Sequence, residues 1–146
     1  MSLQRWQANG WLIAHTAKAN NIRSLFEVAD RNLSDCQASG LSADARFGFA
    51  YMAARELGMA ALNAEGYEPA RGQSHHFRAI QSLAHTIGAD ATIVDQLDQG
   101  RKKRNISEYD RIGMISDQEA DEMIELAERL RQDVEAWFQG RHPDLM

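Results

Sequence analysis

The sequence predicts an all-α fold, an up-and-down bundle of about four long helices plus a short N-terminal helix, forming one domain over residues 1–146. Three observations predict it. Only two prolines occur, and Ala, Leu, Glu, Gln and Arg are frequent where Val, Thr and aromatic residues are sparse. Apolar side chains recur at three- and four-residue spacing in several separate windows. Those windows are punctuated by Gly and by Ser caps rather than by long loops. At 146 residues the chain is long enough to bury a core without staples.

The elements follow in order. Leu3 to Ile13 carries Trp6 and Trp11 around an Asn9-Gly10 break, read as a short helix, a turn and an irregular link through His15 and Thr16. The two tryptophans are expected to pack on the main body. Ile22, Leu25, Phe26, Ala29, Leu33 and Cys36 mark an amphipathic helix from about Lys18 to Ala38, ended by Ser39-Gly40. Ser42 is a good N-cap, so the next helix starts there and runs to about Glu65. Its inward face is Phe47, Ala50, Tyr51, Ala54, Leu57, Gly58, Ala61 and Leu62, with small residues that admit a neighbouring backbone closely. Gly66 terminates it, and Tyr67 to Gly72, with Pro69, reads as a loop.

Phe77, Ile80, Leu83, Ala84 and Ile87 place a third helix from about Gln73 to Ile87, stopped by Gly88. A fourth begins near Ala89 and is expected to fray between Ser107 and Gly113. Ser116 and Glu119 form a capping box, with Asp121 and Glu122 suiting the helix dipole. The last helix shows Ala120, Met123, Ala127, Leu130, Val134 and Trp137 along one seam, and the tail beyond Gly140 is expected to be mobile.

Composition narrows the function classes. A net charge of −5 argues against a general nucleic-acid coat, though not against a local basic site. The single cysteine, Cys36, excludes an internal disulfide and reads as a small core residue. No cationic-plus-apolar leader occurs, and no apolar run approaches the roughly 18 residues of a membrane span. A cytoplasmic protein with no membrane partner is the expectation. No Gly-rich phosphate loop, paired Cys ligands, Glu-x-x-His pair or His-Glu-x-x-His appears, so neither a cofactor nor a metal is expected.

One stretch breaks the apolar pattern. Ile93, Val94 and Leu97 begin a helical stripe that continues at the same spacing through Gly100, Arg101 and Arg104 to Ser107 or Glu108. The stripe turns cationic halfway, within the four consecutive cations Arg101 to Arg104. An arginine facing a helix seam needs its donors met by a carboxylate, a carbonyl or a phosphate. The alternative is a solvated basic run suited to a helix C-terminus. His75 and His76 precede it by one helix; as neighbours they point about 100° apart and rarely share a metal. Capping or packing is the plainer role for them, and His15 and His85 have no visible partner.

The segment Arg101-Lys-Lys-Arg104-Asn105-Ile-Ser-Glu-Tyr109-Asp, interrupting the last long helix pair, resembles the HEPN superfamily (higher eukaryotes and prokaryotes nucleotide-binding domain). Ser42-Ala-Asp-Ala-Arg-Phe and Arg71-Gly-Gln-Ser-His-His-Phe resemble an uncharacterised bacterial branch of it, so the resemblance covers most of the chain. It implies a dimer whose two motifs face one cleft. It also implies, for many members, metal-independent RNA cleavage and, for some, a toxin paired with an antitoxin protein. The family motif is an Arg, four to six residues, then a His.

That chemistry uses the ribose 2′-OH as nucleophile, a His-like group to move protons and a cation for the phosphorane. By the resemblance, Arg101 or Arg104 binds phosphate, Asn105 is the adjacent polar group and Tyr109 matches the tyrosine of a His-x-Tyr ending. No His stands at the motif spacing: Ile106, Ser107 and Glu108 follow Arg101, and Tyr109, Asp110 and Arg111 follow Arg104. Ser107 does not replace it without a base beside it. His76 or His75 is the substitute the sequence offers.

Three readings follow. The first is a HEPN-like domain binding RNA, a nucleotide or a protein partner through Arg101, Arg104, Asn105 and Tyr109, as a homodimer, with His75 also a candidate phosphate ligand. The second is a metal-independent ribonuclease toxin in which His75 or His76 moves the proton. The third is a structural dimerisation module whose arginines are locked by Asp95, Asp98 or Glu108.

Overall fold

A computed structural model describes residues 2–72, 75–109 and 115–146, the side chains of 105–109 excepted. Among the described residues there are six α-helices and one two-stranded sheet, so the fold is an all-α bundle. The helices are α1 (Leu3–Ala8), α2 (Ala19–Asp35), α3 (Ala43–Ala64), α4 (His75–Gln81), α5 (Ala91–Tyr109) and α6 (Asp117–Arg141). The strands are β1 (Leu12–Ala14) and β2 (Tyr67–Pro69). None of these helices is long and apolar enough to cross a membrane.

Helix α3 is the hub, packing against α2, α6, α4 and α5. Its apolar residues occur nearly all round, as a central helix requires: Phe47, Ala50, Tyr51, Ala53, Ala54, Leu57, Ala60, Ala61 and Leu62 are all buried. Ser42 caps it by accepting from the Ala45 N–H, and Gly66 closes it at φ +94°, the left-handed region where a side chain is strained. The small-residue face does admit a close neighbour. A Cβ on Gly58 would stand 2.7 Å from the Ala79 carbonyl oxygen of α4.

Helix α6 begins at the capping box, with Ser116 accepting from the Glu119 N–H and Glu119 from the Ser116 N–H. Arg46 on α3 clamps its first turn, donating to Asp121 at 2.7 Å and to Asp117 at 3.4 Å. Arg131 donates to Asp30 of α2 at 2.8 Å, and the Phe26 and Phe138 rings meet edge to face at 5.3 Å.

Four sequence expectations need correction. Leu12–Ala14, at the start of the expected link, and Tyr67–Pro69, in the expected loop, pair as antiparallel strands, Leu12 opposite Pro69 and Ala14 opposite Tyr67. Three-residue strands carry no alternation long enough to read from sequence. The third helix is much shorter than Gln73–Ile87. The buried Ser82 hydroxyl donates to the Ala79 carbonyl at 2.8 Å and the chain tightens into a 3₁₀ turn over Ser82–Ala84. Gln73 and Ser74 lie outside the described residues, as do 110–114, where the fourth helix was expected to end. On α6 the seam closes on Phe138, fully buried, while Trp137 is half-buried beside it. The tail is fastened rather than free: α6 runs to Arg141, and Arg141 and His142 both contact the Glu65 carboxylate, at 2.9 and 3.1 Å.

Candidate functional site

On α5 the inward stripe runs Val94, Leu97, Gly100, all buried, and then changes character. Gly100 has no room for a side chain, because a Cβ there would run into the Met123 terminal methyl and lie 3.5 Å from Phe47. One turn later the half-buried Arg101 and Arg104 occupy the same side of the helix. They meet the face of α3 formed by Gly48, Tyr51, Met52 and Arg55, positions related by three, four and seven residues and therefore neighbours. The Arg104 guanidinium lies 5.8 Å from the Tyr51 ring centre, and one of its nitrogens is 3.7 Å from Met52 Sδ. Arg101 lies 5.3 Å from the ring of Phe77 on α4.

Helix α4 brings in the histidines. The His75 and His76 rings meet edge to face at 5.7 Å. Arg55 Nη1 stands 3.5 Å from His76 Nδ1. A guanidinium only donates, so that ring nitrogen is the acceptor and the neutral ring carries its proton on Nε2. Partial burial first, then the charges of Arg55, His75, Arg104 and Arg101, hold the His76 pKa at about 4. At neutral pH this imidazole is uncharged, and its one lone pair, on Nδ1, is turned to Arg55.

Tyr51 forms the floor, 1 % exposed, its hydroxyl buried with no hydrogen-bond partner among the described residues. Burial pushes the phenol upward in pKa, and Arg55, Arg101 and Arg104 oppose that shift. The same three guanidiniums thus act on Tyr51 and on His76 together. Arg55 Nε donates to Glu56 at 3.1 Å and Arg101 Nε to Asp98 at 3.0 Å. Both carboxylates engage the Nε atom, which leaves the terminal nitrogens of Arg101 and the Nη2 of Arg55 for other acceptors.

The sequence-named residues therefore divide. Arg101, Arg104, His75 and His76 are brought into one electrostatic neighbourhood although α3 had to assemble it. The side chains of Asn105, Ser107, Glu108 and Tyr109 lie outside the described residues, with Asp110 and Arg111. Arg101 does pair with Asp98, as a structural reading expects, whereas Asp95 makes no described ion pair. Arg46 of the Ser42–Phe47 stretch serves as the clamp on α6 and is not in the cleft. Arg55 and Tyr51 were missed as site residues. Their signal was present, since Arg55 continues the Phe47–Tyr51 stripe at four-residue spacing.

The remaining histidines have partners that the sequence did not reveal. His15 Nδ1 is 3.1 Å from Glu68, across the two-stranded sheet, and His85 packs edge to face on Trp6 at 5.1 Å. Cys36 is buried, with its thiol pKa raised chiefly by burial, as befits an inert core residue. Among the described residues no group of three His, Cys, Asp or Glu side chains is placed to share a metal ion. A depression of about 210 Å³ lies between α5 and α6 over Phe47, Gly100, Met123 and Leu126, with the Lys103–Glu119 ion pair at its rim. Comparison with known protein families, with curated proteins and with solved structures finds no match in any of the three.

Proposed function

We propose that the cleft between α3, α4 and α5 binds a phosphate-bearing ligand, RNA or a nucleotide, through Arg55, Arg101 and Arg104. The observation that carries this reading is the convergence of those three guanidiniums on Tyr51 and His76 in a protein whose net charge is −5. Concentrating cations at one half-buried place in an acidic protein costs repulsion, and an anionic ligand repays it. Asn105 and Tyr109 extend the site by the HEPN resemblance, which also carries with it a cytoplasmic homodimer and an antitoxin-like protein partner. Light scattering at micromolar concentration tests the dimer; a monomer there would remove it.

Metal-independent ribonuclease action is the second reading, favoured by one observation. His76, the residue offered in place of the absent motif histidine, is neutral at pH 7 and sits in the field of the arginines that would hold the phosphate. In such a reaction Arg55 turns from His76 Nδ1 to the phosphate, and the freed nitrogen takes the 2′-OH proton as the 2′-oxygen bonds to phosphorus. An arginine fork stabilises the phosphorane, and the P–O5′ bond breaks with the imidazolium returning the proton to the departing 5′-oxygen.

Labelled transfer RNA and messenger RNA incubated with chelator present separate the two readings, with an Arg101→Ala/Arg104→Ala variant alongside. Binding by the native chain that the variant loses supports the phosphate cleft, and cutting that the variant and His76→Ala both lose supports the ribonuclease. Absence of RNA and nucleotide binding by the native chain refutes both and leaves the arginines a structural role.

A further inference from the structure

Cationic and aromatic side chains continue beyond the cleft. Arg101 lies 5.3 Å from the Phe77 ring centre, and Arg78 lies 5.2 Å from the same ring. Arg78 in turn stands 3.9 Å over Trp11 and 5.6 Å from Trp6. Arginine and ring therefore alternate from the cleft to the N-terminal segment, where Trp6 is buried and Trp11 half-buried.

Arg78 differs from four other half-buried arginines. Arg46, Arg55, Arg101 and Arg131 each hold a carboxylate, at 2.7, 3.1, 3.0 and 2.8 Å respectively. No described side chain or carbonyl accepts a hydrogen bond from Arg78. Its pKa is lowered by burial, with no acid to offset the shift. Half-burying a guanidinium without an acceptor is unfavourable, and stacking on Trp11 recovers only about 0.5–2 kcal/mol. Stacking also engages the face of the guanidinium and not its edge. The N–H donors lie in the plane, so the fork is oriented by Trp11 yet unfilled.

We propose that Arg78, held flat on Trp11, is a second phosphate subsite, so that the ligand of the cleft is a single-stranded oligonucleotide and not a mononucleotide. This rests on the phosphate reading of the cleft. Two features favour a strand over a lone anion. Arg78 and Arg101 flank one ring, a separation that neighbouring phosphates of one strand can span. Phe77 and Trp11 lie between and beside them, as the aromatic platforms of single-strand binding sites do.

The test uses fluorescence anisotropy with a labelled six-nucleotide single-stranded RNA, and displacement of that RNA by adenosine 5′-monophosphate, across a salt series. Each phosphate contact on a single strand adds about 0.7 to the slope of log affinity against log salt. The native chain is expected to bind the hexamer more tightly, with a slope steeper by at least one such contact than for the mononucleotide. Arg78→Met is expected to lower hexamer affinity about fivefold or more and to lose about one contact of slope, leaving mononucleotide affinity within about twofold. Equal slopes for the two probes on the native chain would overturn the second subsite while leaving the cleft intact, and this comparison does not depend on any variant folding. A folded Arg78→Met protein with native hexamer affinity and slope would overturn it too, reducing Arg78 to a strut for the N-terminal segment. If neither probe binds, the cleft reading and the subsite fall together.

Discussion

His76 Nδ1 faces Arg55 Nη1 at 3.5 Å, a neutral ring nitrogen set against a permanent cation. Neither residue is near the other in sequence, and the contact exists because α4 packs against α3, with the Ala79 carbonyl against Gly58. It adds to desolvation in holding the His76 ring neutral.

The His76 titration is accordingly expected near pH 4 in the free protein, and Arg55→Ala should move the midpoint upward by removing a positive neighbour. Inorganic phosphate bound in the cleft should raise it as well. The sign for stability follows from the same shift. The unfolded chain takes up this proton near the ordinary value of 6.5, before the folded one does at about 4. Stability from this residue is therefore complete above pH 6.5 and lost as pH falls toward 4. Following the ring proton signal by NMR checks it; a midpoint unchanged by Arg55→Ala would show that the arginine is not the cause.

Gly58 and Gly100 both lack room for a side chain, but with opposite consequences. At Gly58 the obstruction is a backbone carbonyl, that of Ala79 at 2.7 Å, which moves only with α4 itself. Gly58→Ala should cost about 1–3 kcal/mol in a urea melt. At Gly100 the obstruction is the end of Met123, a flexible side chain. There the roughly 1 kcal/mol of helix propensity that Ala gains over Gly offsets the crowding, and Gly100→Ala should be close to neutral. Equal losses at the two positions would contradict this distinction.

The Tyr51 hydroxyl is buried without a described partner. Removing an unsatisfied buried hydroxyl while keeping the ring should stabilise, so Tyr51→Phe is expected to gain about 1 kcal/mol in chemical denaturation. A loss of similar size would mean that the hydroxyl is bonded in solution.

Ser116 makes both halves of the capping box possible, and α6, at 25 residues, is the longest of the described helices. Ser116→Ala should cost about 1 kcal/mol and lower the melting temperature, whereas Ser42→Ala at the α3 cap should cost a comparable amount. A Ser116→Ala protein with a native melting temperature would show that the Arg46 clamp alone secures the start of α6.

Helix identity was legible because the four long helices each repeat their apolar residues over several turns. Even the cationic turn of the α5 stripe could be read from Leu97, Gly100, Arg101 and Arg104. The short elements were not legible: β1 and β2 owe their existence to each other, and α4 ends where the Ser82 hydroxyl competes for a backbone carbonyl. The candidate site was half legible for a related reason. Arg101 and Arg104 announced themselves as polar residues on an apolar stripe, while Arg55, which also continues a stripe, sits on a helix apolar nearly all round, where a single arginine marks no face.

By itself the sequence determined the helical class, the caps at Ser42 and Ser116, the stop at Gly66 and the break in the α5 stripe, since each depends on residues within a few turns of one another. Tertiary packing alone decided that α3 would supply the floor of the cleft. It decided that His76 would face Arg55, and that Arg78 would lie on Trp11 without a carboxylate. Those relationships join segments separated by 21 residues or more, and nothing local in the chain encodes which face of α3 the α4 segment will meet. That choice is made by Gly58, whose missing side chain lets the Ala79 carbonyl in and so sets where the histidines come to rest.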